Sequence, residues 1–201
     1  MAWQTFGFEN IKKYFERAVG EDSTEHSYLF SGQEMIGKKT FALELASHIQ
    51  GSPVNRAALY MDPDLLMLGN EGVSIDDIRN LKSFLGFKPY SSRYKIVIVD
   101  DAHQMGEAAA NAMLKVLEEP PAHSLIILIS ANPQALLPTI YSRCVEIKFA
   151  PHPRTELLKY LEQMDLNQAQ AEFLADFSNG RLGLAYRLKE KNALQYIKKN
   201  L

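Results

Sequence analysis

The chain has 201 residues, of which 46% are hydrophobic and 23% charged, an ordinary composition for a globular protein. Its formal net charge of −2 gives no overall basic field, which argues against a stand-alone binder of nucleic acid. No stretch reaches the roughly 20 consecutive apolar residues that a membrane span needs. A single cysteine excludes an internal disulfide or a multi-cysteine zinc site. We therefore expect a cytoplasmic protein.

Alternating helices and strands are predicted through the first part of the chain. In chain order they are a helix at 9–19, a strand at 26–31, a helix at 38–50 and a helix at 74–85. Residues 51–73 contain several glycines and prolines and are predicted as a loop, with a short strand only at 58–61. Ser74 is predicted to cap the next helix, and Asp77 to complete a capping box.

Uniformly apolar strands dominate the next part of the chain. The elements predicted there are strands at 94–99, 125–130 and 144–149 and a helix at 107–117. The first two strands end in runs without polar alternation, which is typical of a parallel sheet buried on both faces. The third alternates, so we expect it near an edge of the sheet. Strands separated by helices predict an α/β domain.

Only helices are predicted after a proline-rich segment at 151–153. They lie at 154–164, 167–177, 181–189 and 193–199. We therefore place a domain boundary near Ala150, which divides the chain into an α/β domain at 1–150 and a small helical domain at 151–201.

A glycine-framed segment, Gly32 to Gly37, joins the first predicted strand to the next helix. This is the context of a phosphate-binding loop, in which backbone N–H groups hold phosphates and a lysine, here Lys38, reaches them. A working loop continues with a Ser or Thr that binds Mg²⁺, but here Lys39 follows, and an ammonium repels a cation. Thr40 points elsewhere, about 100° around the helix. From spacing alone, an ordinary strand-to-helix turn remains an alternative.

Polar residues follow two of the buried strands. Asp100 and Asp101 come directly after the strand at 94–99, at the end where parallel sheets bind ligands. In a working site Asp100 would hold magnesium through water, and Asp101 stands where many ATPases carry the glutamate that activates water. Asn132, after the strand at 125–130, is a candidate for orienting that water. The alternative for the two aspartates is a solvated strand end or a helix N-cap, and the alternative for Asn132 is a turn before Pro133.

Arg143 ends a short helical turn, and spacing alone makes it an ordinary surface arginine. Cys144 is interpreted as a small buried hydrophobe rather than a nucleophile, because no histidine is near it in sequence. The five histidines lack metal-ligand spacing, so no metal site is expected.

Taken together and in order, these residues resemble the AAA+ clamp-loader family, and most closely its delta-prime branch. The resemblance covers nearly the whole chain, through the stretches 26–32, 36–40, 94–101, 109–121 and 136–144. The Leu-Lys-Val-Leu-Glu-Glu-Pro-Pro run and the Ser-Arg-Cys triplet within these stretches are specific to clamp loaders among AAA+ proteins.

The resemblance implies a fold and a set of partners. The fold is a RecA-like AAA+ domain of the P-loop NTPase class, a parallel sheet with flanking helices, followed by a helical lid. The partners are other loader subunits of the gamma/tau and delta types, a ring-shaped sliding clamp and primed DNA. Arg143 becomes an arginine finger that acts on ATP bound by a neighbouring subunit. No cofactor is required, and ATP or ADP binds weakly if at all.

Departures from the family pattern concern the nucleotide site. Lys39 replaces the magnesium-binding residue, Met35 replaces a usual loop glycine, and Gly183 stands where ATPase subunits carry arginine. Residues 51–60 lack the four cysteines with which many relatives bind zinc. The family's helical collar domain would begin after Leu201, so we expect a fragment of a longer chain.

Two other functions compete with that of a non-catalytic loader subunit. The first is an active ATPase subunit of the gamma/tau type, which Lys39 and Gly183 disfavour. The second is an unrelated P-loop kinase, for which the sequence offers no acceptor-substrate base.

Overall fold

The structure, a computed structural model, describes residues 1, 3–51, 61–69, 72–164 and 166–190. The chain divides into two compact units. The first contains Met1–Ser31 and Lys38–Lys148, and the second contains Phe149–Leu201 together with the short segment Gly32–Gly37. This division lies close to the boundary predicted near Ala150. The glycine-framed loop, however, belongs to the helical unit. A single domain boundary in the sequence therefore cannot describe the division.

A parallel sheet forms the centre of the first unit. Its strands are β1 (Ser27–Ser31), β2 (Leu65–Leu68), β3 (Lys95–Val99), β4 (Ser124–Ser130) and β5 (Val145–Lys148). Their order is β2-β3-β4-β1-β5, and every neighbouring pair is parallel. The predicted parallel sheet is therefore confirmed, and β5 lies at an edge, as its alternating pattern predicted.

Helices accompany the strands of the first unit. Those described are α1 (Glu9–Gly20), α2 (Lys38–Gln50), α3 (Ile75–Leu85), α4 (Glu107–Glu118) and α5 (Pro138–Tyr141). The capping box predicted for α3 is confirmed: Ser74 Oγ accepts from the Asp77 N–H at 3.1 Å, and Asp77 accepts from the Ser74 N–H at 2.8 Å. Both orphan donors at this helix end are thus satisfied locally.

Alternate residues of β1 belong to opposite faces of the sheet. Tyr28 and Phe30 pack with Phe15 of α1 and Phe41 of α2 in a fully buried cluster, with ring centroids 5.1–6.0 Å apart. Leu29, between them, belongs to the second core cluster, which α3 and α4 complete. Side chains from helices thus cover both faces of the sheet, and the carboxyl ends of the strands form the place where ligands can bind.

The prediction of a loop at 51–73 is wrong in its second half. Leu65–Leu68 forms β2, which pairs with β3 along its whole length. The four apolar residues do not alternate, and Pro63 before them and Gly69 after them resemble loop punctuation. Pairing with the buried β3 determines the conformation. The strand predicted at 58–61 lies outside the described residues, except for Met61, which is in a turn.

A buried ion pair precedes β2. Asp64 is fully buried and accepts hydrogen bonds from the backbone N–H groups of Tyr90, Ser91 and Ser92 at 2.7–3.0 Å. Lys95 Nζ lies 3.2 Å from the same carboxylate and 4.1 Å from the centre of the Phe84 ring. Burial alone would raise the pKa of Asp64, but the three N–H donors and Lys95 lower it to about 2.

Asp64→Asn is expected to lower the free energy of unfolding by about 3–5 kcal/mol, because it leaves the Lys95 ammonium buried without its counter-charge. Chemical denaturation at neutral pH measures this loss. Asp76→Asn removes the same charge from an exposed ion pair and should cost no more than about 1 kcal/mol.

The lowered pKa of Asp64 makes the free energy of unfolding depend on pH. A folded pKa of about 2 lies below the ordinary value of 3.8, so the stabilisation is present above pH 4 and is lost as the pH falls towards 2. Asp64→Asn should remove this acid dependence. Equal losses from Asp64→Asn and Asp76→Asn would contradict the role of the buried pair.

Three helices make up the described part of the second unit. They are α6 (Arg154–Glu162), α7 (Gln168–Ser178) and α8 (Leu182–Glu190), which confirms three of the four helices predicted after residue 151. The fourth, at 193–199, lies outside the described residues. Leu157, Leu161, Leu174 and Ala185 are buried in this unit. Among the described residues, no helix has the length and apolar character that crossing a membrane requires.

Candidate functional site

Lys39 forms an ion pair with Asp100, the carboxylate that would hold magnesium through water in a working P-loop site. Helix α2 begins at Lys38, which is buried, and Lys39 is the second residue of its first turn. The Lys39 Nζ lies 3.1 Å from Oδ2 of Asp100, with 35% of the lysine side chain and 20% of the aspartate side chain exposed. Lys39, which cannot bind a cation, therefore supplies the positive charge next to Asp100.

Strand β2, which the sequence did not predict, fixes the backbone of Asp100. The Asp100 N–H donates to the carbonyl of Leu68 at 2.9 Å. Gly69 follows with a φ of 111° and no room for a Cβ, because the Asp100 carbonyl fills that space. The Asp101 N–H donates to Oδ1 of Asp100 at 3.1 Å, so both carboxylate oxygens of Asp100 are engaged.

Asp101 and Asn132 lie beyond the carboxyl ends of β3 and β4. Asp101 has a left-handed backbone, with a φ of 48°, and begins the 3₁₀ turn Ala102–Gln104 without capping it through its side chain. Asn132 is exposed, and its N–H donates to the Ser130 hydroxyl at 3.1 Å. Because β3 and β4 are parallel neighbours, both residues lie at the same edge of the sheet as Asp100. Their roles towards a nucleotide stay predictions.

The glycine-framed loop is hydrogen-bonded to α8 within the second unit. Gly32 and Gly37 have φ values of 144° and 120°, which favour glycine. Met35, which the resemblance implied to replace a glycine, also adopts a positive φ of 59°. The Gly183 N–H donates to the Met35 carbonyl at 2.8 Å. A Cβ on Gly183 would lie 2.6 Å from that carbonyl oxygen, so an arginine there requires the loop to move.

Gly183→Ala is expected to displace the loop and to destabilise the second unit by about 1–3 kcal/mol through overpacking. Hydrogen exchange of residues 32–37 should become faster in this variant. Gly20→Ala is the matched control, since a Cβ there meets no atom within 4 Å and alanine favours the end of α1. Unchanged exchange in Gly183→Ala would mean that the close approach has no structural consequence.

Arg143 does not project freely from the turn that follows α5. Its Nη2 lies 2.7 Å from Oε1 of Glu118, the last residue of α4, and its Nη1 donates to the carbonyl of Thr139 at 2.9 Å. Spacing could not reveal this partner, which lies 25 residues earlier. Cys144 packs against the core, and burial raises the pKa of its thiol to about 12, as expected of a residue that is not a nucleophile.

Metal ligands do not converge in the part of the chain that the structure describes, where no group of three or more His, Cys, Asp or Glu residues could hold a metal ion. The segment 51–60, in which the sequence predicted no zinc site, lies outside the described residues except for Gly51.

The fold defines a P-loop-type AAA+ protein. Its parallel sheet has β1 between β4 and β5, and a glycine-framed loop follows β1 and leads into α2. The RuvB Holliday junction branch migration motor of Thermotoga maritima shares this fold, with a TM-score of 0.68, 19% identity, and 96% of this chain and 64% of that chain covered. A gamma subunit-related protein of DNA polymerase III from the same organism matches with a TM-score of 0.64 and 30% identity, covering 87% of this chain and 57% of that one.

Sequence comparison identifies the family. Residues 7–153 match the family model described as DNA polymerase III, delta subunit. The Bacillus subtilis DNA polymerase III subunit delta' is 31% identical over 84% of this chain and 55% of its own length. Subunit tau of the same organism is 30% identical over 92% of this chain and 36% of its own length. The chain belongs to the DNA polymerase III clamp-loader family, and it spans between a third and somewhat more than half of these relatives.

Proposed function

We propose that this chain is a delta-prime-type subunit of the DNA polymerase III clamp loader, whose own nucleotide site does not hydrolyse ATP. In this role it helps to load a sliding clamp on primed DNA within the polymerase holoenzyme. The observation that carries the proposal is the ion pair between Lys39 and Asp100. The ammonium takes the place that Mg²⁺ would need next to the carboxylate.

Magnesium and the Lys39 ammonium compete for one carboxylate. Mg²⁺ requires near-octahedral oxygen ligands at about 2.0–2.1 Å and keeps several waters, one of which would bridge to Asp100. With an ammonium 3.1 Å from Oδ2, this site already carries its positive charge, and a divalent cation is repelled. Without the ion, the charge that develops on the β and γ phosphates is not neutralised, and phosphoryl transfer loses a main source of catalysis.

Two further residues support the absence of ATPase activity. Asp101 is one methylene shorter than the glutamate of active ATPases, and its left-handed backbone sets its direction. Gly183 cannot be replaced by arginine unless the Met35 carbonyl moves, so the lid supplies no cation from this position. ATP or ADP, if it binds, binds weakly and without a metal requirement.

An active gamma/tau-type ATPase is the second candidate. The tau and delta' relatives from Bacillus subtilis have nearly equal identity to this chain, 30% and 31%. Lys38 is also kept at the position where a working loop places its phosphate-binding lysine. The two candidates differ in their need for magnesium, which can be measured.

Lys39→Thr is expected to give nucleotide binding that strengthens with Mg²⁺, because it removes the resident ammonium and supplies a hydroxyl ligand. Calorimetric titration of ATP with and without Mg²⁺ measures the change. The unmodified chain should show no magnesium dependence. Lys88→Thr, which removes a lysine from an exposed position, should behave like the unmodified chain. Strong magnesium-dependent binding by the unmodified chain would favour the gamma/tau-type function.

Arg143 is proposed as the arginine finger that this subunit presents to a neighbouring ATPase subunit. A guanidinium is always charged and offers a rigid fork of donors that matches phosphate oxygens. The partners proposed for the assembly are gamma/tau- and delta-type subunits, the sliding clamp and primed DNA. The exposed turn after α5 leaves part of the Arg143 side chain accessible to a neighbour.

Arg143→Ala is expected to slow hydrolysis at one neighbouring site by about 10³- to 10⁵-fold, or roughly 4–7 kcal/mol of barrier. Single-turnover hydrolysis and clamp loading by the reconstituted loader measure this effect. The stability of the isolated chain should change by no more than ~0.5 kcal/mol, as at most surface positions. Arg79→Ala, which removes another exposed ion-paired arginine, should leave hydrolysis unchanged. Full rates of hydrolysis and clamp loading in the Arg143→Ala loader would contradict the proposed role of Arg143.

A further inference from the structure

The guanidinium of Arg143 is held within its own subunit. Its Nη2 pairs with Glu118 at 2.7 Å, and its Nη1 donates to the Thr139 carbonyl at 2.9 Å. The side chains of the pair are 33% and 48% exposed, for the arginine and the glutamate respectively. The ion pair therefore lies at the surface, where an incoming anion can reach the guanidinium.

The stability of α4 does not explain why a glutamate stands at position 118. It is the last residue of α4, where the helix dipole disfavours a negative charge, and Glu119 adds a second carboxylate directly after it. Arg143 compensates the charge of Glu118 from outside the helix. Among the described residues, Glu119 makes no ion pair, so the two neighbouring glutamates differ in their contact with the arginine.

A phosphate can displace the carboxylate of Glu118. An ion pair this exposed is weak and is screened by salt. A nucleotide carries several negative charges and can accept the guanidinium fork at two oxygens, which makes it the stronger partner. Glu118 thus keeps Arg143 in one orientation without binding it so tightly that a neighbour's nucleotide could not take it over.

We propose that Glu118 is a positioning residue that holds Arg143 back in the resting subunit and releases it to the phosphates of a nucleotide on the neighbouring subunit. The inference rests on the proposed function, since it requires Arg143 to act as the finger. The pair sets how often the finger is engaged before the assembly is fully formed.

Glu118→Gln is expected to raise ATP hydrolysis by the reconstituted loader about 2- to 5-fold when clamp and DNA are absent. This factor corresponds to the strength of an exposed ion pair. Glu118→Asp keeps the carboxylate and should return the rate towards that of the unmodified loader. Glu119→Gln is the matched control and should change nothing. In an Arg143→Ala background, Glu118→Gln should have no effect, because the residue through which it acts is gone.

A second readout uses the isolated chain and is independent of hydrolysis. Nitrogen-15 NMR should show slow rotation of the Arg143 guanidinium in the unmodified chain and in Glu119→Gln, and fast rotation in Glu118→Gln, with Arg143→Lys assigning the signal. Equal rotation in all three chains, or unfolding of Glu118→Gln, would overturn the proposal.

The outcomes also separate this inference from the proposed function. If Arg143→Ala slows hydrolysis but Glu118→Gln matches Glu119→Gln, the finger stands and the positioning role of Glu118 falls. If Arg143→Ala leaves the loader unaffected, the finger role in the proposed function fails and the positioning role of Glu118 fails with it.

Discussion

A carboxylate at the end of a buried parallel strand needs a counter-charge, and in this protein a side chain supplies it. Asp100 is fixed by the pairing of β3 with β2, and Lys39 from the first turn of α2 lies 3.1 Å from its carboxylate. In a P-loop enzyme that charge is a magnesium ion, which arrives with the nucleotide and acts on its phosphates. Here an ammonium of the chain itself balances the same charge without a nucleotide.

The glycine-framed loop makes a contact with the second unit's own helix α8. In a working loop the backbone conformation serves the phosphates. Here the loop is also held by α8, whose Gly183 N–H donates a hydrogen bond to the Met35 carbonyl. Under the proposed function, the Glu118 carboxylate pairs with the same guanidinium that a neighbour's phosphate would bind. At Asp100, a positive charge of the chain itself is present where a nucleotide's magnesium would supply one.

Local patterns predicted much of this fold. The uniformly apolar β3 and β4, the alternating β5 and the capping box of α3 all depend on residues close in sequence, and all are confirmed. Strand β2 was missed because its four residues lie between loop-forming neighbours, and its conformation depends on pairing with β3. A short apolar run bounded by turn residues is itself a strand signal, so the sequence did contain a hint.

The site was predicted less completely than the fold. Lys39 was identified as unable to bind magnesium, but its pairing with Asp100, 61 residues away, required the sheet topology. Gly183 and Met35, and Glu118 and Arg143, likewise meet through tertiary structure alone. One signal was available for Glu118, since an acidic residue at the last position of a helix opposes the helix dipole.

Steady-state ATP hydrolysis by the purified chain, with Mg²⁺ present, tests most directly whether Lys39 has replaced the metal. Lys38→Ala, which removes the lysine expected to reach the phosphates, gives the background rate. If the ammonium occupies the magnesium position, the unmodified chain shows no turnover above that background. Magnesium-dependent turnover that disappears in Lys38→Ala would show instead that Lys39 moves aside and that this chain is an ATPase in its own right.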